Sequence, residues 1–562
     1  MAEVPITPIC KLSFFALVVT GLAVSPAAAS RGDSASALNR FVEARLAESS
    51  NELQAASSVY AESLKEQPDN ALLAGKAYVS AIRAGDFDLA VKAARTLQLR
   101  SKMDPEMPLV ILADAFAARD WKTVELAMVE LEALKNFSFL QPLLEAWIAT
   151  AKGQGDAATL SSKQDNPTAQ YYLEEQMVLN RLANRRESEA VGLLVSLVQR
   201  DEARMAPIRM IAARHFWEIN DPATAKEILR SRSSGPEQKL LRQIEAGQRR
   251  GIAQKVNASL GLAFLFQRLS NDLAAQQARF PAQVMAQVGA RVAGKSDYAF
   301  LTLGRSYAAA ENHELAVAEF SKIGEQSPYH LVALSSAISS LVTSKQYDQA
   351  IARADIALKA NPDAPELHIL KGQTLQVKGD NAAAAASFES AIKLGEQLER
   401  PAMLMASYWL ALGGAQEQAG IWPEGLKALE KANQLLPNSP TILNYLGYAQ
   451  LERRENQQAA IAAIKQAHEL RSDSPAITDS LGWAYFINGE HDRAVTYLEN
   501  ALEGEPQDPT INEHLGDAYW TVGRLYEARY AWKSAKLFAE GEDLQRLTSK
   551  IDLGLRPGLS SP

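Results

Sequence analysis

A pattern of small residues recurs about every 34 residues through the second half of the chain and limits it to a repeat architecture. The eighth residue of six repeats is glycine, and the twentieth residue of every repeat is alanine or glycine. Small residues at fixed positions let two antiparallel helices approach closely, so each repeat is predicted to be a helical hairpin. Successive starts are separated by 34, 34, 41, 34, 35 and 34 residues, at Asp297, Leu331, Pro365, Ala406, Pro440, Pro475 and Pro509.

This spacing resembles the tetratricopeptide repeat (TPR), which implies hairpins stacked in a right-handed superhelix. A single hairpin cannot bury its apolar face, so its stability must come from stacking. The fold class that we predict is therefore all-α, a TPR-type solenoid of helical hairpins. Two segments, DSLGWAYFINGEHDRAVTYLENAL (479–502) and INEHLGDAYWTVGRLYEA (511–528), also resemble exported multi-TPR envelope proteins of Gram-negative bacteria. That likeness implies a scaffold of the cell envelope.

The repeat frame divides the chain into four predicted parts. Residues 1–29 form a signal peptide, and residues 30–296 form degenerate TPR-like helical repeats that fit the frame poorly. Residues 297–540 form seven TPR repeats. Residues 541–562 form a capping helix and a loose tail, because an open-ended stack needs a polar cap for solubility.

The first thirty residues have the plan of a secretory leader. Lys11 precedes an apolar run over residues 12–24, which is shorter than the roughly 20 residues that span a bilayer. Ala27 and Ala29 supply the small residues of a cleavage site, so we expect removal after Ala29 and a periplasmic location. The alternatives are a membrane anchor and a cytoplasmic TPR assembly factor whose apolar leader is retained. Cys10, the single cysteine, would be lost with the leader.

Charge and residue supply exclude several classes of function. The chain has 58 basic and 66 acidic side chains, and a net charge of -8 argues against a nucleic-acid partner. One cysteine and seven scattered histidines provide no ligand cluster for a metal, and no HExxH motif is present. We therefore predict no cofactor, no metal and no catalytic residue.

One segment matches a nucleotide-binding motif. Residues 289–296 read GARVAGKS, which fits GxxxxGK[ST] with Gly289, Gly294, Lys295 and Ser296. The alternative function is thus a nucleotide-binding enzyme that uses this segment. However, the preceding residues favour a helix, and no alternating strand and helix pattern follows them. We interpret the segment as a loop between helices with a solvated lysine.

A concave groove is the predicted binding surface. The TPR resemblance implies that the first helix of each repeat lines this groove, and aromatic and acidic side chains there suit an extended apolar or basic peptide. The alternative is that the aromatic rings pack between helices, since large aromatics at helical spacing are often core. The acidic face around His514 is interpreted as solvated rather than metal-binding. The candidate groove residues are Asn444, Tyr445, Tyr448, Asp479, Trp483, Glu513, His514 and Asp517.

Together these features predict a non-catalytic scaffold. Its partners would be proteins or peptides of the cell envelope, with no nucleic acid and no transmembrane segment in the mature chain.

Overall fold

All regular structure in the described part of the chain is helical. A computed structural model describes residues 31–155, 160, 167–198, 202–230 and 235–561, so the predicted signal peptide lies outside it. The predicted all-α class is confirmed, because these residues form helices and no strand. None of their helices is long and apolar enough to cross a membrane.

The helices before residue 310 include a short 3-10 helix at Ser138–Leu140 between α6 and α7. The α-helices are α1 (Arg31–Ser49), α2 (Leu53–Glu66), α3 (Ala71–Ala84), α4 (Phe87–Leu99), α5 (Met107–Ala118), α6 (Trp121–Leu134), α7 (Gln141–Ala151), α8 (Pro167–Ala183), α9 (Glu187–Val198), α10 (Glu202–Glu218), α11 (Pro222–Arg230), α12 (Gly235–Glu245), α13 (Ala258–Ala275), α14 (Arg279–Ala293) and α15 (Asp297–Ala309).

The later helices alternate with short connections. They are α16 (His313–Ser321), α17 (His330–Thr343), α18 (Tyr347–Ala360), α19 (Pro365–Lys378), α20 (Asn381–Gln397), α21 (Ala402–Gln418), α22 (Trp422–Leu435), α23 (Pro440–Glu452), α24 (Gln457–Leu470), α25 (Pro475–Ile487), α26 (His491–Gly504), α27 (Pro509–Thr521), α28 (Leu525–Lys536) and α29 (Gly541–Leu553).

The chain folds as two compact units. Unit 1 contains the described residues of Met1–Ser231 and Ile244–Ala310, and unit 2 contains those of Arg232–Gln243 and Glu311–Pro562. The boundary after Ala310 falls inside the predicted repeat that begins at Asp297, so α15 belongs to unit 1 and α16 to unit 2. The predicted limits of the repeat region therefore do not coincide with the limits of a compact unit.

Unit 2 is a solenoid of helical hairpins. From α17 onward the two helices of each hairpin pack together, and the second helix of each hairpin packs on the first helix of the next. α29 packs on α28 in the same way and ends the stack. Each hairpin thus buries its apolar face mainly against its neighbours, as expected for a repeat protein.

Local sequence fixes where these helices begin. Ser439, Ser474 and Asp508 each cap a helix, because their side chains accept a hydrogen bond from the main-chain N–H three residues later. Proline occupies the first helical position after each of them, where its missing N–H costs nothing. In three hairpins the residue that caps the end of the second helix comes directly before a proline, at Asn361, Leu436 and Glu505.

The eighth residue of most repeats is glycine because a larger side chain would collide with the second helix, and the repeat that begins at Leu331 is the exception, with buried Ile338. A Cβ atom at Gly482 would lie 2.7 Å from Leu498 Cγ, and one at Gly516 would lie 2.4 Å from Trp532 Cδ1. One at Gly372 would lie 2.5 Å from the ring of Phe388. These distances are below van der Waals contact, so the predicted role of the small residues in bringing the helices together is confirmed.

The predicted frame is wrong by one residue in the repeat that begins at Pro440. Its twentieth residue, Ala459, is exposed, whereas Ala460 is fully buried. A Cβ atom at Gly447 would lie 2.8 Å from the carbonyl oxygen of Ala460. The extra residue lies in the connection before α24, where Asn456 has a φ of 45°. The connection absorbs the insertion, so the helix contact is preserved.

Unit 1 does not follow a simple linear stack. α14 packs on α3 and α5, and its partner α13 packs on α7 and α8. The amides of Gln283 and Gln287 both donate to the carbonyl oxygen of Ile82, at 3.0 and 2.6 Å. Arg268 donates to buried Glu175 at 2.9 and 3.1 Å. The α13–α14 hairpin therefore ties together helices that are distant in sequence.

We expect Gly482→Ala to destabilise unit 2 by about 1–3 kcal/mol, because the new methyl group overpacks the contact with Leu498. Gly75→Ala is the matched control, since a Cβ atom there meets no atom within 4 Å in helix α3. It should stabilise the chain by about 0.5–1 kcal/mol. Urea unfolding followed by circular dichroism measures both changes, and a Gly482→Ala protein as stable as wild type would contradict the packing argument.

Candidate functional site

Four of the eight predicted groove residues line one open cavity of about 510 Å³ in unit 2. Asn444, Tyr445 and Tyr448 reach it from α23, and Asp479 reaches it from α25. These helices are the first helices of successive hairpins, so their side chains collect on one face of the solenoid. The other lining residues are Glu417, Ala449, Glu452, Ala476, Ser480, Glu505, Asp508, Thr510 and Ile511.

The two tyrosines are fixed by carboxylates. The Tyr445 hydroxyl donates to Glu417 Oε2 at 2.6 Å, and Arg453 Nη1 donates to Glu417 Oε1 at 2.8 Å. Burial raises the pKa of both tyrosines, and the neighbouring carboxylates raise it further. The hydroxyls therefore stay protonated and present aromatic walls with fixed orientation.

The cavity is acidic. Five of the residues that line it carry a carboxylate, and no described lining residue is lysine or arginine. Burial raises the pKa of Glu452, although a hydrogen bond with Tyr448 acts in the opposite direction. A partly desolvated carboxylate gains most from a cation that comes close to it, so this lining favours a positively charged ligand.

Asn444 has an acceptor that the described chain does not use. Its Nδ2 donates to Ser480 Oγ at 3.1 Å, while its Oδ1 is buried without a hydrogen-bond donor among the described residues. A buried acceptor without a partner costs free energy, which a buried water molecule would recover.

The other four predicted groove residues lie in the core and do not line the cavity. Trp483, Glu513, His514 and Asp517 are all buried. The Trp483 ring is stacked between Phe486 and His514, with ring centroids 4.7 and 4.1 Å apart. The Trp483 ring therefore packs in the core, as the packing alternative has it. The prediction of a solvated acidic face around His514 is wrong, because Glu513, His514 and Asp517 are buried against charged or polar partners.

His514 links the cavity to this core. Its Nδ1 lies 2.9 Å from Asp479 Oδ1, and Asp479 also lines the cavity. Burial alone would lower the pKa of His514, but the Asp479 carboxylate outweighs it and the pKa is raised. The described residues contain no group of three or more histidine, cysteine or acidic side chains that could hold a metal ion.

Glu513 and Asp517 hold the capping helix. Lys550 of α29 is fully buried, and its Nζ donates to Glu513 Oε1 at 2.6 Å and to Asp517 Oδ1 at 2.8 Å. Arg546 donates to both Glu513 oxygens at 2.8 and 2.9 Å. Burial opposes ionisation of Glu513, but the two cations outweigh it and lower its pKa to about 2. Glu513 and Asp517, which the sequence predicts to bind a ligand, thus stabilise the fold by holding α29.

The end of the chain joins the same network. The sequence predicts a loose tail, but the main-chain N–H of Ser561 donates to Asp517 Oδ2 at 2.9 Å. The Trp532 indole N–H donates to Asp517 Oδ1 at 2.8 Å. Asp517 therefore gathers donors from α28, α29 and the tail.

Sequence reasoning missed the carboxylates of Glu417, Glu452, Glu505 and Asp508. Glu417 and Glu452 lie on α21 and α23, which are first helices of their hairpins and therefore elements that the TPR resemblance assigns to the groove. The frame could therefore have found them. Glu505 and Asp508 lie in the connection between α26 and α27, whose path the repeat frame does not define.

The GARVAGKS segment does not form a phosphate-binding loop. Residues 289–293 belong to α14, and a Cβ atom at Gly289 would lie 3.2 Å from the carbonyl oxygen of Ala263. Gly289 is thus a helix-packing residue, and only Gly294, Lys295 and Ser296 form the predicted loop with its exposed lysine. A phosphate-binding loop needs free main-chain N–H groups, which a continuous helix does not offer.

Comparisons with known proteins identify the repeat. A tetratricopeptide repeat family model matches residues 337–399, 371–440 and 480–538. These segments of the chain are TPR repeats, as the spacing predicts. No curated protein matches the chain.

Several solved structures are similar to parts or most of the chain. A thermophilic TPR protein from Thermus thermophilus is 25% identical over 34% of this chain and 100% of its own, with a TM-score of 0.30. Cut9–Hcn1 of the APC/C is 13% identical over 94% of this chain and 97% of that chain, with a TM-score of 0.39. Yeast Tom70 is 11% identical over 93% and 96%, with a TM-score of 0.36.

Replacing Lys550 by Met should destabilise the end of the stack by about 3–5 kcal/mol, because it leaves the Glu513 and Asp517 carboxylates buried with fewer partners. Lys295→Met is the control, since Lys295 is exposed and should change stability by less than about 0.5 kcal/mol. Hydrogen exchange of α28 and α29 reports the local effect. Equal exchange in the two variants would show that the buried cation does not hold α29.

Proposed function

We propose that this chain, which carries TPR repeats over residues 337–440 and 480–538, is a non-catalytic scaffold that binds a basic polypeptide segment of a partner protein. The ligand lies in the cavity formed by α23, α25 and the connection before α27. Its cationic side chains pair with the cavity carboxylates, and its apolar atoms contact Tyr445 and Tyr448.

The observation that supports this proposal is the unbalanced charge of the cavity. Five carboxylates surround two tyrosines, while no described lining residue carries a positive charge. Arg453 Nη1 lies 2.8 Å from Glu417 Oε1 and 3.9 Å from Glu452 Oε2, yet burial still raises the pKa of Glu452, so a ligand cation close to Glu452 would favour its ionisation.

We further propose that the scaffold works in the bacterial periplasm and supports the integrity or assembly of the cell envelope. The apolar run at 12–24 and the small residues Ala27 and Ala29 support export. Loss of Cys10 with the leader would leave a mature chain without a thiol, which suits an oxidising compartment. The likeness of residues 479–528 to exported TPR proteins supports an envelope partner.

Binding of a synthetic peptide of alternating arginine and leucine tests the cavity. We expect Glu452→Gln with Tyr448→Ala to raise its Kd at least about 10-fold, because a charge pair and an aromatic contact are lost together. Glu503→Gln is the charge-matched control on the exposed side of α26 and should leave the Kd unchanged. Fluorescence anisotropy measures the Kd, and a glutamate version of the peptide should not bind.

The result would go against the proposal if the cavity variant and the Glu503→Gln control bound the arginine peptide equally well. Thermal melts of both proteins show whether the repeats remain folded. If the affinity depended on the total negative charge of the protein rather than on the cavity, both variants would lose the same amount of binding.

Export is tested by fusing residues 1–40 to a reporter enzyme that is active only in the periplasm. We expect activity from the natural leader, because the apolar run directs secretion. Replacing Leu17 and Val18 by Arg interrupts this run and should abolish the activity. A natural fusion as inactive as the arginine variant would favour a cytoplasmic location.

A further inference from the structure

A buried histidine is in direct contact with one wall of the cavity. His514 of α27 is 1% exposed, and its Nδ1 lies 2.9 and 3.1 Å from the two carboxylate oxygens of Asp479. Asp479 belongs to α25 and lines the cavity. The ring of Tyr448, a second lining residue, lies 6.5 Å from the His514 ring between centroids. The charge of this imidazole therefore acts on groups that a ligand would meet.

The acidic neighbours of His514 on its own helix are paired with cations of the capping helix. Glu513 accepts from Lys550 at 2.6 Å and from Arg546 at 2.8 and 2.9 Å. Asp517 accepts from Lys550 at 2.8 Å. These cations offset the charges of Glu513 and Asp517, so neither carboxylate depends on the imidazole for a partner.

The other helices around α27 leave Asp479 as the acid that contacts the imidazole. The ionic contact of Asp479 in α25 is the one with His514. Glu452 of α23 acts on His514 only through space, and burial raises the pKa of Tyr448 so far that its hydroxyl stays protonated. Helices α26 and α28 present large side chains to α27, among them Leu498 and Trp532.

A ligand cation and the imidazolium would compete for the same carboxylate. Burial disfavours the imidazolium, but the carboxylate of Asp479 favours it more strongly, and the pKa of His514 is raised above its ordinary value of 6.5. A cation that enters the cavity and pairs with Asp479 would repel the imidazolium and take over its acceptor. By linkage, loss of the imidazole proton favours the ligand to the same extent as the ligand favours that loss.

We propose that His514 makes peptide binding in the cavity depend on pH, because the imidazolium occupies the Asp479 carboxylate and the neutral imidazole leaves it to the ligand. This inference rests on the proposed binding of a basic segment in the cavity. The affinity for such a segment rises with pH, and binding displaces a proton from the imidazole. His514 is thus a regulator of the cavity and not a residue that contacts the ligand.

The stability of the fold changes with pH in the opposite direction. Folding raises the pKa of His514, so its contribution to stability is complete below about pH 6.5 and is lost as the pH rises through the folded-state value. A histidine that acted only on the structure would weaken both the fold and the binding at high pH. The proposed histidine weakens the fold while it strengthens the binding.

The peptide of alternating arginine and leucine tests this dependence, because arginine keeps its charge at every pH used. We expect its Kd to fall about 5- to 10-fold between pH 6 and pH 9. His514→Asn retains a side-chain N–H for Asp479 but takes up no proton, so its Kd at pH 6 should equal that of wild type at pH 9. His368→Asn is the matched control on α19, outside the cavity lining, and should keep the wild-type dependence.

Nuclear magnetic resonance of the wild-type chain gives a second test that needs no variant. Stacking on Trp483, with centroids 4.1 Å apart, sets the ring signals of His514 apart from those of the other histidines. We expect saturating peptide to lower the pKa of His514 by at least about 0.7, which corresponds to a 5-fold change in Kd. This titration decides the matter if thermal melts show that His514→Asn does not fold.

Three results would overturn the inference and leave the peptide site standing. The first is a wild-type Kd that is the same at pH 6 and pH 9, and the second is a pKa of His514 that saturating peptide does not change. The third is a folded His514→Asn chain with the full pH dependence of wild type, which would assign that dependence to Glu452. A peptide that binds at no pH would remove the proposed site, and the inference with it.

Discussion

The contact between a glycine in the first helix and a large side chain in the second sets the separation of the helices in five hairpins of unit 2, from α19–α20 to α27–α28. Gly482 against Leu498 and Gly516 against Trp532 leave no room for even a methyl group. Because the second helix also packs on the first helix of the next hairpin, this separation affects the position of the next hairpin as well. The shape of the cavity depends on it, since Tyr448 and Asp479 come from successive first helices.

Charge is distributed differently at the cavity and at the end of the stack. In the core below α29, Glu513 and Asp517 are neutralised by Lys550 and Arg546. In the cavity, Glu452, Glu505 and Asp508 line an open space with no described cation in the lining. Carboxylates of unit 2 thus hold the end of the stack together in one place and line an open cavity in another.

Much of the fold was predictable because its determinants are local. Glycine at the crossing, a capping side chain before proline and proline after the second helix are all readable in sequence, and the structure has hairpins where they occur. The site was only half predictable. Position in the repeat places Tyr445 and Trp483 on first helices, but burial of Trp483 depends on the stacked rings of Phe486 and His514. The partner of Glu513 lies 37 residues away at Lys550, outside the repeat frame.

The α13–α14 hairpin makes contacts with helices that are distant in sequence, so the two units are expected to fold in different ways. Gln283 and Gln287 meet Ile82 across 201 and 205 residues of sequence, whereas unit 2 is held mainly by contacts between adjacent hairpins. Long loops must close before such distant contacts can stabilise the fold, and the entropy lost in closing them slows folding. Unit 1 thus cannot complete its core until Gln283 and Gln287 have met α3, nearly the whole length of the unit away. Unit 2 can add one hairpin at a time to a growing edge, so its folding depends less on the order in which distant segments meet.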